Sequence, residues 1–229
     1  MKCRVINNWQ VKGIIFDLDG VLIDSVGVWE KVDRDFLTKR DIPVPENLAE
    51  EIKSLHFRDV AIYFQENFQI PESIEEIMAE WNEMVYDEYA RKITLKPGVK
   101  NYLNYLKSRG LKIGLATSNN KNLTKAVLKN NGIKDNFEVI TTGEDVERDK
   151  NFPDIYLQCA QELEIEPEEC IVFEDILAGV LSAKMAGMRV VGVYDQHSRN
   201  EWTEIKENAD LWIKNFSELI IREYEAPAL

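Results

Sequence analysis

Cysteine is scarce in this chain, and where it occurs it forms no pattern. Cys3, Cys159 and Cys170 are the only three in 229 residues. Their odd number and scattered positions exclude a disulfide framework and a cysteine zinc site. Cys170 opens an apolar run and Cys159 falls in an expected helix, so both read as small core residues. Long apolar runs are missing too, since none approaches the roughly 20 residues of a membrane helix. The first residues lack the basic-then-apolar pattern of a secretion signal, and a cytoplasmic protein is expected. Basic residues are outnumbered, 28 Lys and Arg against 41 Asp and Glu, for a formal net charge of -13. That balance argues against nucleic acid and anionic membrane surfaces as partners, because both call for basic patches. It suits a soluble enzyme, and it is compatible with a monomer or a homodimer. Repeats and low-complexity tracts are absent. Only the final Glu-Ala-Pro-Ala-Leu reads as a loose tail, while Val5, Ile6 and Trp9 read either as packing on a sheet edge or as loose chain.

What is present is a change of rhythm. The length allows one large domain or a domain with a smaller insert. Residues 13–16 form a short apolar run ending at Asp17, the pattern of a strand buried on both faces. Helical spacing then dominates 26–39, 45–68 and 73–92, with breaks at Pro43, Pro45 and Pro71. From Leu95 strands and helices alternate: helix 99–108, strand 111–116, helix 121–131, strand 139–141, helix 154–163, strand 171–173, helix 178–186, strand 190–193. Alternation of this kind calls for a parallel sheet covered on both faces. The expected fold is α/β, a doubly wound Rossmann-like parallel sheet core formed by 1–24 plus 95–229. An all-helical cap domain at 25–94 is inserted after the first strand, where it would overhang the carboxyl edge of the sheet.

The strand ends carry the polar residues. Asp17 and Asp19, two apart on an extended chain, point the same way. Two carboxylates in one site repel unless a cation or a proton lies between them, so the pair implies a metal or a raised pKa. A calcium loop does not fit, because its twelfth position, counted from Asp17, is Val28 rather than glutamate. A simple turn remains a reading of Asp-Leu-Asp-Gly if no partners appear downstream. Partners do appear. Thr117, Ser118 and Asn119 end the strand 111–116 with a hydroxyl and backbone N–H groups that suit an anion, or with a helix cap. Lys150 stands in an acidic loop ahead of Pro153 and Asp154, with Asp154 expected to cap the next helix. Glu174 and Asp175 follow 171–173, where unpaired charge is costly and where hard oxygen ligands suit magnesium. A nucleophilic carboxylate, a second carboxylate, a hydroxyl, a lysine and an acidic pair together describe phosphoryl transfer.

In order and placement these elements resemble the four motifs of the haloacid dehalogenase superfamily, in the helical-cap branch that includes β-phosphoglucomutase and many small-molecule phosphatases. The motifs here are Phe-Asp-Leu-Asp-Gly at 16–20, Leu-Ala-Thr-Ser-Asn at 115–119, Lys150 before Pro153 and Asp154, and Phe-Glu-Asp-Ile-Leu-Ala-Gly at 173–179. The resemblance implies that Asp17 is the nucleophile, forming an aspartyl-phosphate, and that Asp19 protonates the leaving oxygen and then deprotonates water. It implies Mg2+ held by Asp17, the Asp19 main-chain carbonyl and Asp175, with Glu174 a ligand or just behind. It also implies phosphoryl oxygens held by Thr117, the Ser118 N–H and Lys150. Asp19 separates the chain from the dehalogenases, which lack it and need no metal. Two departures stand out: Asp149-Lys150-Asn151 where Gly-Lys-Pro is common, and Ile176 where serine is usual.

In the cap, Trp29 stands where β-phosphoglucomutase has a histidine. Phe57 stands where it has an arginine, with Arg58 one position beyond. Trp29, Lys53, His56 and Arg58 are candidate substrate contacts, although aromatics on helices more often pack and such cations are often solvated. These differences favour a phosphatase of a small phosphorylated metabolite, such as a sugar phosphate, over a mutase. A reading of another class is a non-catalytic phospho-accepting regulatory module, which combines an acceptor aspartate, magnesium, a hydroxyl and a lysine. Such modules are far shorter and have no helical insertion.

Overall fold

The computed structural model describes residues 11–25, 27–52 and 57–219. Cys3, Val5, Ile6, Trp9, Lys53, His56 and the final five residues lie outside them. The chain divides into two compact units, residues 1–26 with 93–229, and residues 27–92.

The first unit is an α/β fold around a six-stranded, fully parallel sheet. Its strands are β1 Gly13–Phe16, β2 Lys112–Thr117, β3 Val139–Thr142, β4 Cys170–Glu174, β5 Arg189–Val193 and β6 Leu211–Ile213. They lie in the order β3-β2-β1-β4-β5-β6, the doubly wound order whose chain reversal falls between β1 and β4. There Phe16 is in register with Leu115 on one side and Phe173 on the other. β1 is buried at every position because it runs through the centre, which is why it reads as an unbroken apolar run.

Alternate residues serve opposite faces. Ile15, Ala116, Val172 and Val190 meet α7 (Asp154–Glu162), α8 (Leu177–Met185) and α9 (Trp202–Asn208) through Cys159, Val180, Ala183 and Ile205. Phe16 and Phe173 stack at 4.8 Å on the other face, under Tyr102 of α5 (Val99–Ser108) and Phe216. α6 (Lys121–Asn130), also in this unit, is capped by the Asn120 side chain, which accepts from the Leu123 N–H.

The second unit contains α1 Val28–Thr38, α2 Leu48–Ile52, α3 Phe57–Asn67 and α4 Ile74–Arg91. Phe36, Phe64 and Trp81 form its aromatic centre, with ring centroids 4.9–5.9 Å apart. α4 opens on a capping box, in which Ser73 accepts from the Glu76 N–H and Glu76 accepts from the Ser73 N–H.

Three details differ from the sequence reading. Residues 45–47 are not helical, and α2 begins only at Leu48. Asp154 is not a cap: it is the first residue of α7, Pro153 takes the capping position, and the Asp154 carboxylate accepts from Arg148 instead. The alternation also continues past Val193 into α9 and β6, an edge strand of three residues too short to show periodicity.

Candidate active site

The polar residues of β1 and β4 meet where the strand order reverses. Asp17 follows β1 directly, and its N–H donates to the Phe173 carbonyl across the sheet at 3.0 Å. The chain then turns: Leu22 and Ile23 both return N–H donors to the Leu18 carbonyl, at 2.9 and 3.1 Å. Gly20 sits in this turn at φ 74°, a conformation that side chains resist. A Cβ there would collide with the Asp175 carboxylate, so glycine also lets the turn close on β4.

Lys150 is not solvated. It is 7% exposed, its Nζ 2.5 Å from Asp17 Oδ1 and donating to Glu174 Oε1 at 2.5 Å. Glu174 is fully buried and accepts at both oxygens. Lys150 and the Tyr156 hydroxyl (2.7 Å) reach Oε1, while the N–H groups of Asp175 (2.7 Å) and Ile176 (3.1 Å) reach Oε2. This saturation makes Glu174 the anchor that aims the Lys150 ammonium at Asp17. Gly179 in the first turn of α8 leaves the space that the Glu174 carboxylate occupies.

Three buried carboxylates around one ammonium leave an excess of negative charge. Burial pushes the Asp17 carboxyl up to about 7, with Glu174 and Asp19 adding to the rise and Lys150 opposing it. Burial, then Glu174 and Asp17, hold Asp175 well above the ordinary carboxylate range. Burial works against the Lys150 charge, but Asp17 and Glu174 outweigh it and keep the group cationic. Ligand atoms of Asp17, Glu174 and Asp175 all lie within 4.8 Å of one another. A buried all-oxygen set with unbalanced negative charge fits a hard divalent cation.

Asp19 is partly buried, and the Asn119 side-chain amide donates to its Oδ2 at 3.1 Å. Thr117 closes β2 fully buried, its Oγ1 accepting from the Asn119 N–H at 3.1 Å, and Ser118 beside it is exposed. Since Asn120 caps α6, Thr117 and Ser118 are not its cap. In the helical unit Trp29 is 47% exposed against the Phe57 ring, and Arg58 pairs with Glu75 at 2.9 Å. Sequence reasoning missed Tyr156, Asn119 as a partner of Asp19, and Gly179. The signals available were the positions of Asn119 at the end of the second motif and of Gly179 at the end of the fourth.

Residues 14–193 match the family of haloacid dehalogenase-like hydrolases. Hexitol phosphatase A of Escherichia coli is 35% identical over 186 residues, covering 80% of this chain and 83% of that one. The phosphorylated carbohydrates phosphatase of Thermotoga maritima is 30% identical over 198 residues, 86% of this chain and 91% of that one. Among solved structures, β-phosphoglucomutase from Clostridium difficile superposes with a TM-score of 0.67 at 27% identity, covering 93% of this chain and 96% of that one. A matched family over most of the chain, with a buried acidic triad at the reversal of a doubly wound sheet, identifies the protein as a phosphatase of the haloacid dehalogenase-like hydrolase family.

Proposed function

We propose that the protein is a magnesium-dependent phosphatase of small phosphorylated metabolites, sugar phosphates foremost, working through an aspartyl-phosphate on Asp17. The observation that carries this reading is the buried contact of Asp17 with Lys150, beside Asp175 and with Asp19 held by Asn119. Lys150, cationic and fixed by Glu174, keeps the Asp17 oxygen oriented and meets a phosphoryl oxygen as charge builds. An Asp17 oxygen attacks phosphorus and the bond to the leaving alcohol oxygen breaks, while the Asp19 carboxyl donates its proton to that oxygen. In the second half water attacks the same phosphorus, Asp19 takes the water proton, and the bond to Asp17 breaks to release inorganic phosphate. Thr117 and the Ser118 N–H hold the other phosphoryl oxygens. Mg2+, held by Asp17, Asp175 and the Asp19 carbonyl, would supply neutralising charge to the phosphoryl group.

The helical unit, residues 25–94 in this reading, serves as the cap, with Trp29 and Arg58 as specificity contacts. The Thermotoga relative's name supports the sugar-phosphate class. A cytoplasmic setting, where thiols such as Cys159 and Cys170 stay reduced, belongs to the same proposal.

The test is phosphate release from a panel of phosphorylated sugars, nucleotides and small acids, with Mg2+ or with EDTA. Asp17→Asn and Asp19→Asn are compared with wild type. Release that needs Mg2+ and is lost in both variants is expected. Interconversion of sugar-phosphate isomers on addition of a bisphosphate sugar, without release, would replace this reading with the mutase. Silence in both assays would refute it as an enzyme of small phosphate esters.

A further inference from the structure

Lys96 is an unusual lysine for a connecting segment. Its side chain is 11% exposed, and its Nζ donates to three acceptors: the Gly20 carbonyl at 2.5 Å, the Tyr194 carbonyl at 3.0 Å and Asp195 Oδ2 at 2.7 Å. Asp195 is 3% exposed and is itself fixed, its Oδ1 accepting from the His197 N–H at 2.8 Å. A buried ammonium needs its charge and its donors met, and here one carboxylate and two carbonyls do so. The backbone of Lys96 is anchored as well, because its N–H donates to the Leu22 carbonyl at 2.9 Å. One residue therefore grips this segment at two points, the Asp17–Gly20 turn through its side chain at Gly20 and the chain just beyond it through its main chain at Leu22. It ties that turn to the loop that follows β5.

The gripped carbonyl belongs to the residue packed against Asp175. Any rotation of the Gly20–Val21 peptide that freed this carbonyl would also shift Gly20 against Asp175 and disturb the path from Asp17 to Asp19. We propose that Lys96, held in place by Asp195, is a positioning residue that fixes the Asp17–Gly20 turn. Its effect on turnover rests on the phosphatase reading above.

The experiment pairs kinetics with hydrogen–deuterium exchange on Lys96→Met, which keeps the apolar stem and removes the donors, and on Lys96→Arg, which keeps the charge. For Lys96→Met, kcat is expected to fall on the order of tenfold or more with KM changed less than about threefold, the mark of lost alignment rather than lost binding. Exchange at the Leu22 and Ile23 amides should rise on the order of tenfold while β3 and α4 stay as in wild type. Lys96→Arg should recover most of kcat. If Lys96→Met does not fold, Asp195→Asn is read in the same way, with a loss of about threefold because the acceptor oxygen remains. A folded Lys96→Met with wild-type kcat and turn protection overturns the proposal. So does faster exchange spread evenly over the sheet, or an equal loss in the exposed-lysine control Lys129→Met. Should the wild type release phosphate from no ester, the phosphatase reading fails alone, and turn protection still decides the role of Lys96.

Discussion

The strand-end cluster and the helical unit both bury acidic side chains, and they balance them differently. In the helical unit Glu88 lies against Lys31 at 2.5 Å and Lys92 at 2.8 Å. Burial works against its charge, but the two lysines outweigh burial and hold its pKa below the ordinary value. Between β1 and β4 the ratio is reversed, with Asp17, Glu174 and Asp175 sharing Lys150. Counter-charge on a helix comes from residues a turn away or on a neighbouring helix, as Lys92 sits four positions from Glu88. Strand ends in a parallel sheet gather side chains from distant segments instead, and here they gather more acid than base. An acid matched by lysines can be buried as a charge; several acids left over at one point suit a hard cation.

Removing the lysine is the strongest way to break this contrast. Lys150→Met leaves three buried carboxylates with no counter-charge, and chemical denaturation at pH 8 in EDTA should show a loss of about 4 kcal/mol. Added Mg2+ should restore part of that loss in the variant, a readout of the cation site that needs no activity.

Asp33 sharpens the comparison from the helical side. It is 9% exposed, and burial with Glu30 nearby pushes its carboxyl up to about 7. The unfolded carboxyl titrates near 4, so the folded chain binds the proton more tightly. Its contribution is therefore fully present below about pH 4 and is lost as pH rises through about 7. Asp33→Asn cannot ionise. Its stability should equal wild type near pH 4 and exceed it by an amount that grows to about 4 kcal/mol above pH 7, measured by denaturation across that range.

A smaller effect of unexpected sign tests the packing behind Glu174. Alanine in place of a helical glycine ordinarily stabilises a helix. At Gly179 the new methyl would meet the Glu174 carboxylate, so Gly179→Ala should lose about 2 kcal/mol and lower phosphate release with it. The exposed Arg58–Glu75 pair closes the series: Glu75→Gln should leave the melting midpoint unchanged.

Much of this arrangement is legible in the sequence because buried parallel strands announce themselves as apolar runs, and their last residues then fall at one edge of the sheet. Asp17, Thr117, Glu174 and Asp175 are visible in that way. Lys150 needs the resemblance as well, since by composition its loop reads as solvent-exposed. Tyr156 and Asn119 are invisible in one dimension. Tyr156 reads as one more apolar contact on α7 until its hydroxyl is seen against Glu174, and Asn119 reads as a cap until its amide is seen against Asp19. The edge strand β6 escapes because three residues hold no period, and the false cap at Asp154 arises because Arg148 competes for the same carboxylate.

The pairing of β1 with β4 also bears on how the protein acquires its chemistry during synthesis. Phe16 and Phe173 are neighbours in the sheet although most of the chain lies between them. A growing chain would expose Asp17 early, yet Glu174, which orients the lysine, and Asp175 are made only after both β2 and β3. Loop closure over such a span is slow compared with local helix formation. Asp17 is thus set against Glu174 and Asp175 only once that long loop has closed, so the acidic cluster is itself a report that β1 and β4 have met.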